Sequence, residues 1–234
     1  MRVLAIGAHP DDLETLCGGT LARFVREGHE VVMCHATNGD KGSYAHTAEE
    51  LSRIRTSEAR HAAEICGATH VSLGLPDGDV IAADPAQRRL FVDLVRESRP
   101  DLIITHSPDD YNSDHNETSK LTFDSSFRAT VPLFVTNKPC HDKVTPIYFF
   151  DTLSGLSFVP TEFVDVSGVM AIKEAMLRCH ESQVSWTLEH DDVDLVEMMK
   201  TTSAFRGLQC GVAYAEAFAT CLTGLRCTTR RLLP

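Results

Sequence analysis

The 234-residue sequence lacks three features that mark special classes of protein. It has no run of 18 apolar residues, no C-x-x-C pair and no Pro-, Ser- or Gly-rich linker. The first apolar run, residues 1–8, is too short for a signal peptide or a membrane-spanning helix. We therefore expect one cytoplasmic domain over residues 1–234, whose eight cysteines are reduced and mostly buried.

Basic residues are also scarce relative to acidic ones. The chain has 22 Lys and Arg against 33 Asp and Glu, a formal charge of −11 with histidine neutral. An acidic surface without a basic stripe repels phosphate backbones and anionic lipids, so we expect neither nucleic acid nor a membrane as a partner. The remaining composition, 43% hydrophobic and 24% charged, is typical of an ordinary globular protein.

Short apolar runs alternate with longer helical patterns in the first half of the chain. Asp84 and Pro85 are typical of a helix start, and Gly28 and Gly67 of helix ends. The expected strands are 3–6, 30–35, 71–73 and 101–105, and the expected helices are 19–27, 48–66 and 85–97. This alternation predicts a single-domain α/β fold with a Rossmann-like, mostly parallel sheet and helices on both faces.

The second half of the chain is less regular. The patterns predict strands at 144–150 and 163–166 and helices at 115–128, 168–183, 193–205 and 212–222. Apolar residues at 127–135 and at Phe149–Phe150 fit either the core or an interface in a homo-oligomer, and both readings stay open.

Acidic residues and histidines gather after the first and the fourth predicted strands. The first strand leads into Ala8–Glu14 (AHPDDLE), and the fourth leads into Thr105–His115 (THSPDDYNSDH). Ligands of an open parallel sheet bind at the carboxyl ends of its strands, and in a doubly wound sheet strands one and four are neighbours. We therefore expect these two loops to meet.

Carboxylates packed beside histidines repel one another unless a cation compensates for their charge. One histidine and one aspartate from the first loop, with one histidine from the second, form a mixed N/O ligand set that suits zinc with a fourth position open. The alternative is that the acidic residues only cap helices, where each anion gains about 0.3–1 kcal/mol. Because both loops carry the pattern at strand ends, we favour the metal site.

The same residues resemble the LmbE-like, or PIG-L-like, family of zinc-dependent N-deacetylases, whose AHPDDxE signature is Ala8–Glu14. HPDDxE with a distant DH pair is a specific pattern, and the resemblance spans nearly the whole chain. Further matching segments are Gly18–Ala22, Thr37–Gly42, Arg55 with Glu58, Leu73–Gly78, Arg99–His106, Asp110–His115, His180–Gln183 and Ala215–Phe218.

The resemblance implies a site and a reaction. The metal ligands fall on His9, Asp12 and His115, and the general base falls on Asp11, which would take a proton from water as it attacks an acetamide carbonyl. Zn²⁺ is the implied cofactor. The implied substrate is a small N-acetylated, sugar-like molecule such as an N-acetylglucosamine conjugate.

One position departs from the family pattern. Members with an H-x-D-H ending have a histidine that assists the oxyanion where this chain has Asn112, which can donate a hydrogen bond but cannot deliver a proton. The acid is then either Asp11 or another imidazole such as His106, for which a structural role is an equal alternative. Asp114, beside the ligand histidine, is expected to orient an imidazole.

Other polar residues have two readings. Arg55 and Glu58 form either a helix ion pair or, for the arginine, part of a substrate pocket. His180 is read as a cap near a helix C-terminus or as an edge of the site. For His35, as for most other histidines, the sequence offers no carboxylate partner.

Three functions follow from these residues. The preferred one is a zinc-dependent N-deacetylase, and the runner-up is a metal-dependent amidase or esterase on another acyl substrate. The third is a Rossmann-like nucleotide-binding module, but the loop after the first strand lacks both G-x-G-x-x-G and a P-loop lysine.

Overall fold

Seven strands form one mostly parallel sheet in the computed structural model, which describes residues 1–234. The strands are β1 (Arg2–Gly7), β2 (Glu30–Thr37), β3 (Thr69–Leu75), β4 (Leu102–Thr105), β5 (Ile147–Phe150), β6 (Glu162–Asp165) and β7 (Ala215–Thr220). Their order is β3-β2-β1-β4-β5-β7-β6. The first five run parallel, and β7 is antiparallel to β5 and β6. The predicted fold class is confirmed, with β1 and β4 adjacent.

Eight α-helices connect and cover the strands. They are α1 (Asp12–Leu16), α2 (Gly18–Arg26), α3 (Ala48–Cys66), α4 (Pro85–Ser98), α5 (Ser113–Arg128), α6 (Met170–Arg178), α7 (Glu181–Asp191) and α8 (Leu195–Cys210). The predicted end signals are confirmed: Asp84 accepts the N–H of Ala86 at the start of α4, and Gly67 ends α3 with φ 80°. No helix is both long and apolar enough to span a bilayer.

An apolar layer lies on each face of the sheet, because successive residues of a strand point to opposite sides. Val3 of β1 packs in a cluster that includes Phe24 of α2. Its neighbour Leu4 belongs to a second cluster that includes Phe91 of α4. Both faces are therefore covered, which explains the continuous apolar run in β1.

The helix predicted at 212–222 is wrong. Residues 215–220 form β7, where Phe218 pairs with Phe150 of β5 on one side and with Glu162 of β6 on the other. Alanine and glutamate favour a helix, but this intrinsic preference is small per residue, and pairing along both edges of the strand overrides it.

Two other boundaries differ from the prediction. The single helix expected at 168–183 is divided into α6 and α7, because His180 has the non-helical angles φ −83° and ψ 55°. The strand expected at 144–150 begins only at Ile147, directly after Pro146, which has no N–H to donate to a sheet.

All eight cysteines are free, as expected. Only half of them are buried, however: Cys17, Cys34, Cys66 and Cys221. Cys210 and Cys227 are exposed, since the end of α8 and the C-terminal segment lie at the surface.

A buried ion pair between α6 and β7 also contacts the start of α2, and it thereby links the second half of the chain to the first. Nζ of Lys173 in α6 lies 2.6 Å from Oε1 of Glu216 in β7. The same carboxylate accepts the N–H groups of Gly19 and Thr20 at 2.8 and 2.7 Å, at the N-terminus of α2, where the helix dipole favours an anion. A Cβ on Gly19 would lie 2.7 Å from Val166, so this approach requires glycine.

Lys173→Met should leave the charge of Glu216 buried without its cation, and breaking such a pair costs about 3–5 kcal/mol. Urea unfolding followed by circular dichroism should show a lower midpoint, partly restored by adding Glu216→Gln. Lys200→Met, which removes partly exposed ion pairs to Glu174 and Glu197, is the control and should shift the midpoint little. Equal midpoints for Lys173→Met and wild type would contradict this role.

Candidate metal centre and active site

The loops after β1 and β4 meet at the carboxyl edge of the sheet. The two strands pair in parallel with Ile6 opposite Thr105, so both loops leave the sheet at the same edge. α1 begins there at Asp12 and α5 at Ser113. The strand order thus brings together the two acidic segments, as the sequence predicts.

His9, Asp12 and His115 form a compact set of candidate ligands. Nε2 of His115 lies 3.3 Å from Oδ1 of Asp12, and Nδ1 of His9 lies 3.5 Å from Oδ2 of Asp12. One donor atom from each residue lies within 4.8 Å of the other two. Two imidazoles and one carboxylate at this spacing fit a divalent metal ion.

Three further carboxylates contact the imidazoles of His9 and His115. Oδ2 of Asp110 lies 3.1 Å from Nδ1 of His115, while Asp77 and Asp114 lie 3.2 and 3.4 Å from Nε2 of His9. Such contacts fix the tautomer and orientation of a ligand histidine. Asp114 therefore contacts His9 and not its sequence neighbour. The sequence pattern gives no orienting role to either Asp77 or Asp110. Asp110 lies in the acidic loop already expected at the site, whereas only the fold brings Asp77 there.

Asp12 is a buried carboxylate, 6% exposed. The backbone N–H of His9 donates to its Oδ2 at 2.6 Å. Burial alone would raise the pKa of Asp12, but the nearby charge of His115 outweighs it and holds that pKa well below its usual range. Asp12 is thus ionised at neutral pH, as a metal ligand must be.

Asp11 has a different environment in the same loop. Its φ of 129° lies where residues other than glycine are rare, and such strain is concentrated at functional sites. Burial raises the pKa of its carboxyl to about 6, although Arg55 opposes the shift. A divalent cation nearby would lower that pKa. Asp11 can therefore exchange a proton closer to neutral pH than Asp12 can.

Arg55 belongs to the site and does not pair with Glu58. Its guanidinium is buried, donates to the carbonyl of Pro10 at 2.6 Å and lies 3.3 Å from Oδ1 of Asp11. Glu58 instead accepts the backbone N–H of Ser182 at 2.9 Å, at the start of α7. The helix ion pair considered from the sequence is therefore absent, and the arginine supports the loop that carries Asp11.

His106 lies next to Asp12 but does not line the cavity described below. The backbone N–H of Ala8 donates to its Nε2 at 2.8 Å, and the same nitrogen is 3.1 Å from Oδ2 of Asp12. Burial lowers its pKa to about 4, so the imidazole is neutral at pH 7. A buried, neutral imidazole whose Nε2 already accepts a hydrogen bond favours a structural role over the acid role considered for His106.

Asn112 is the N-cap of α5. Its Oδ1 accepts the backbone N–H of Asp114 at 2.8 Å, which satisfies one of the free amides of the helix N-terminus. Its Nδ2 group has no hydrogen-bond partner within the protein, and the residue lines the cavity. The amide is thus a free donor at the position where the family pattern has a histidine.

A buried carboxylate with two histidines lies behind the site. Oε1 of Glu14 is 3.2 Å from Nε2 of His180, and Oε2 is 3.5 Å from Nε2 of His35. The prediction that His35 has no carboxylate partner is wrong, because its partner lies beyond the end of the adjacent strand β1. His180 lies between the C-terminus of α6 and the start of α7, as expected near a helix end, and it is fully buried.

One cavity of about 570 Å³, the reaction cavity, lies over the ligand set. One wall of the cavity consists of Asp11 and Asn112, from the loops after β1 and β4, and of Arg55 from α3. The second half of the chain forms the other wall, which includes Trp186. Arg55 is the only Lys or Arg that lines it. Its volume is typical of a site for a small molecule.

The sequence matches a known family over more than half of its length. Residues 4–126, which include all three candidate ligands, match the family described as PIG-L: GlcNAc-PI de-N-acetylase. The chain is also 28% identical over 227 residues to a diacetylchitobiose deacetylase of Thermococcus kodakarensis, covering 92% of this chain and 81% of that relative.

Two solved structures are close to the fold. An N,N'-diacetylchitobiose deacetylase from Pyrococcus horikoshii has a TM-score of 0.81 and 25% identity, covering 94% of this chain and 83% of that one. GalB, the 4-carboxy-2-hydroxymuconate hydratase of Pseudomonas putida KT2440, has a TM-score of 0.83 and 23% identity, covering 99% and 100%. Because the two differ in named activity, the fold alone does not select a reaction.

His9→Ala and His115→Ala should each lose bound metal, because either change removes one of three ligands. Elemental analysis of the purified protein should show about one divalent ion per chain in wild type and much less in both variants. His61→Ala removes an exposed imidazole on α3 and should keep full occupancy. Full occupancy in His9→Ala or His115→Ala would remove that residue from the ligand set.

Proposed function

The chain belongs to the PIG-L family of de-N-acetylases, and from this membership we propose that it is a metal-dependent hydrolase that removes the acetyl group from an N-acetylated, sugar-like amine. The observation that carries the proposal is the position of Asp11 in one cavity with His9, Asp12 and His115. A carboxyl that can exchange a proton lies there beside a candidate metal centre, as amide hydrolysis requires.

We assign a divalent cation, zinc in the first place, to His9, Asp12 and His115. Two histidine nitrogens oriented by carboxylates and one ionised carboxylate suit zinc and leave a coordination position open. When bound, the cation supplies Lewis acidity toward water and toward an amide carbonyl.

Asp11 is assigned to move the proton. As the oxygen of water bonds to the acyl carbon, the Asp11 carboxylate takes a proton from that water. As the C–N bond breaks, Asp11 returns the proton to the amine nitrogen, and the products are acetate and a free amine. Burial raises the pKa of Asp11 and favours its protonated form, whereas Arg55 and a bound cation favour its ionised form, so the carboxyl can both accept a proton and return it.

The neighbouring side chains would serve the same reaction. Nδ2 of Asn112, a free donor at the cavity, can hydrogen-bond the oxygen that becomes negative when the carbonyl is attacked. Asp114 and Asp110 would hold the imidazoles of His9 and His115 in position. His106 would accept the N–H of Ala8 and so hold the loop that carries Asp12.

The charge of the reaction cavity favours this reaction over hydration of a carboxylated substrate, the activity named for the hydratase of similar fold. Beyond the charge of one bound cation, a site for a substrate with several carboxylates needs cationic side chains to complement them. Arg55 is the only Lys or Arg in the lining, and it already lies beside Asp11, while Asp77 and Asp191 add negative charge. The runner-up is a metal-dependent amidase or esterase on another acyl group, because the same residues would hydrolyse it.

The proposed substrate is a small N-acetylated sugar conjugate, N-acetylglucosamine-like in its reacting part. We also propose a cytoplasmic location, in keeping with eight free thiols. A homo-oligomer is proposed from the exposed apolar side chains Phe127, Leu133 and Val135, which lie 50%, 91% and 77% exposed and are candidates for an interface between copies.

Asp11→Asn should keep the metal and lose deacetylase activity by roughly 10²–10⁴-fold, since the amide has the size of the carboxyl but cannot accept the proton. Acetate release from N-acetylglucosamine conjugates, measured beside metal content, checks this. Asp109→Asn alters an exposed carboxylate in the loop after β4 and is the matched control. Near-normal turnover in metal-loaded Asp11→Asn would place the base elsewhere.

Asn112→Ala and Asn112→Asp should both lower kcat, by up to about 10²–10³-fold, because neither offers the amide donor to the oxyanion. The aspartate keeps an oxygen that caps α5, so it separates loss of the donor from loss of the cap. Metal content and the thermal midpoint should change little in Asn112→Asp. If that variant keeps wild-type kcat, the oxyanion has another donor.

A further inference from the structure

A second cavity lies next to the reaction cavity, and the side chain of Trp186 separates the two. This side cavity, of about 330 Å³, lies between the loop before α3 and helix α7. Only Gly42 and Trp186 line both cavities. The indole of Trp186 therefore stands between the space over the ligand set and the side cavity.

The indole is held in that position by neighbours from two elements. The ring of His190, one turn later in α7, stacks on it at 4.4 Å between centroids with 22° between planes. The ring of Tyr44 packs against the indole with 4.9 Å between centroids and 49° between planes. A Cβ on Gly42 would lie 3.1–3.3 Å from Nε1, Cδ1 and Cε2 of the indole, so the loop backbone packs tightly against it.

We propose that Trp186 is a specificity-determining residue, the partition that limits how far a substrate extends from the reacting acetamide. The proposal rests on the proposed deacetylase function and names the substrate class for it: N-acetylated amines with one sugar ring are preferred to those with two. The indole packs against His190, Tyr44 and Gly42. It therefore blocks the path of a substrate more than it offers a free face on which a sugar ring could stack.

Removing the indole should join the two cavities, while a smaller aromatic ring should keep most of the wall. The test compares wild type with Trp186→Ala and Trp186→Phe on N-acetylglucosamine and on N,N'-diacetylchitobiose. In Trp186→Ala the ratio of kcat/KM for the two-ring sugar to that for the one-ring sugar should rise about tenfold or more. In Trp186→Phe the ratio should stay within about threefold of wild type. Leu188→Ala, an exposed change on α7 that lines neither cavity, should leave the ratio unaltered.

A merely structural role for Trp186 predicts a different result. If the indole only attaches the loop to α7, its loss should lower kcat/KM for both sugars in parallel and leave their ratio unchanged. An unchanged ratio in a folded Trp186→Ala protein overturns the proposal, as does a wild-type preference for the two-ring sugar.

Binding distinguishes failure of this proposal from failure of the deacetylase function. Calorimetric Kd values for both sugars should show the same change of ratio in Trp186→Ala without requiring turnover. Because Trp186 is the only tryptophan, its fluorescence in wild type should change as N-acetylglucosamine fills the reaction cavity. If Trp186→Ala changes the ratio of the two Kd values in this way but wild type releases no acetate, the deacetylase function is refuted and the role of Trp186 as a partition is supported. Absence of binding of either sugar to wild type overturns the partition as well.

Discussion

The buried negative charge of Asp12 is the constraint on which the rest of the site depends. A carboxylate that is 6% exposed is costly unless it is compensated. The compensation comes from the backbone N–H of His9 in its own loop and from His115 in the first turn of α5, directly after the loop that follows β4. Parallel pairing of β1 with β4 brings these two loops together, so the candidate ligand set depends on the strand order.

Two adjacent aspartates acquire opposite properties from this arrangement. The charge of His115 keeps the pKa of Asp12 low, which makes it a permanent anion suited to bind a cation. Asp11 lies in a strained backbone conformation beside Arg55, and burial raises its pKa to about 6. Their side chains are chemically identical, so environment alone makes one suited to binding a cation and the other to the proton transfer that we propose.

The sequence predicts what depends on local pattern and on strand ends. The apolar runs of β1 and β4, the caps at Asp84 and Gly67 and the meeting of the two acidic loops are confirmed. It cannot predict contacts that only tertiary structure creates. Asp77 contacts the candidate ligand His9, and Glu14 pairs with His35, across distances in sequence that no spacing rule covers. The strand at 215–220 is missed for the same reason, because pairing on both edges decides its conformation.

The central claim is that this chain, loaded with a divalent metal, hydrolyses an N-acetyl amide. The most direct measurement is acetate release from an N-acetylglucosamine conjugate in water enriched in heavy oxygen. We predict acetate and free amine in equal amounts, with the label in the acetate, loss of release after chelation and recovery when a divalent cation is added back. Metal-loaded protein that releases no acetate from any N-acetylated sugar, or release that continues after complete removal of metal, would contradict the claim.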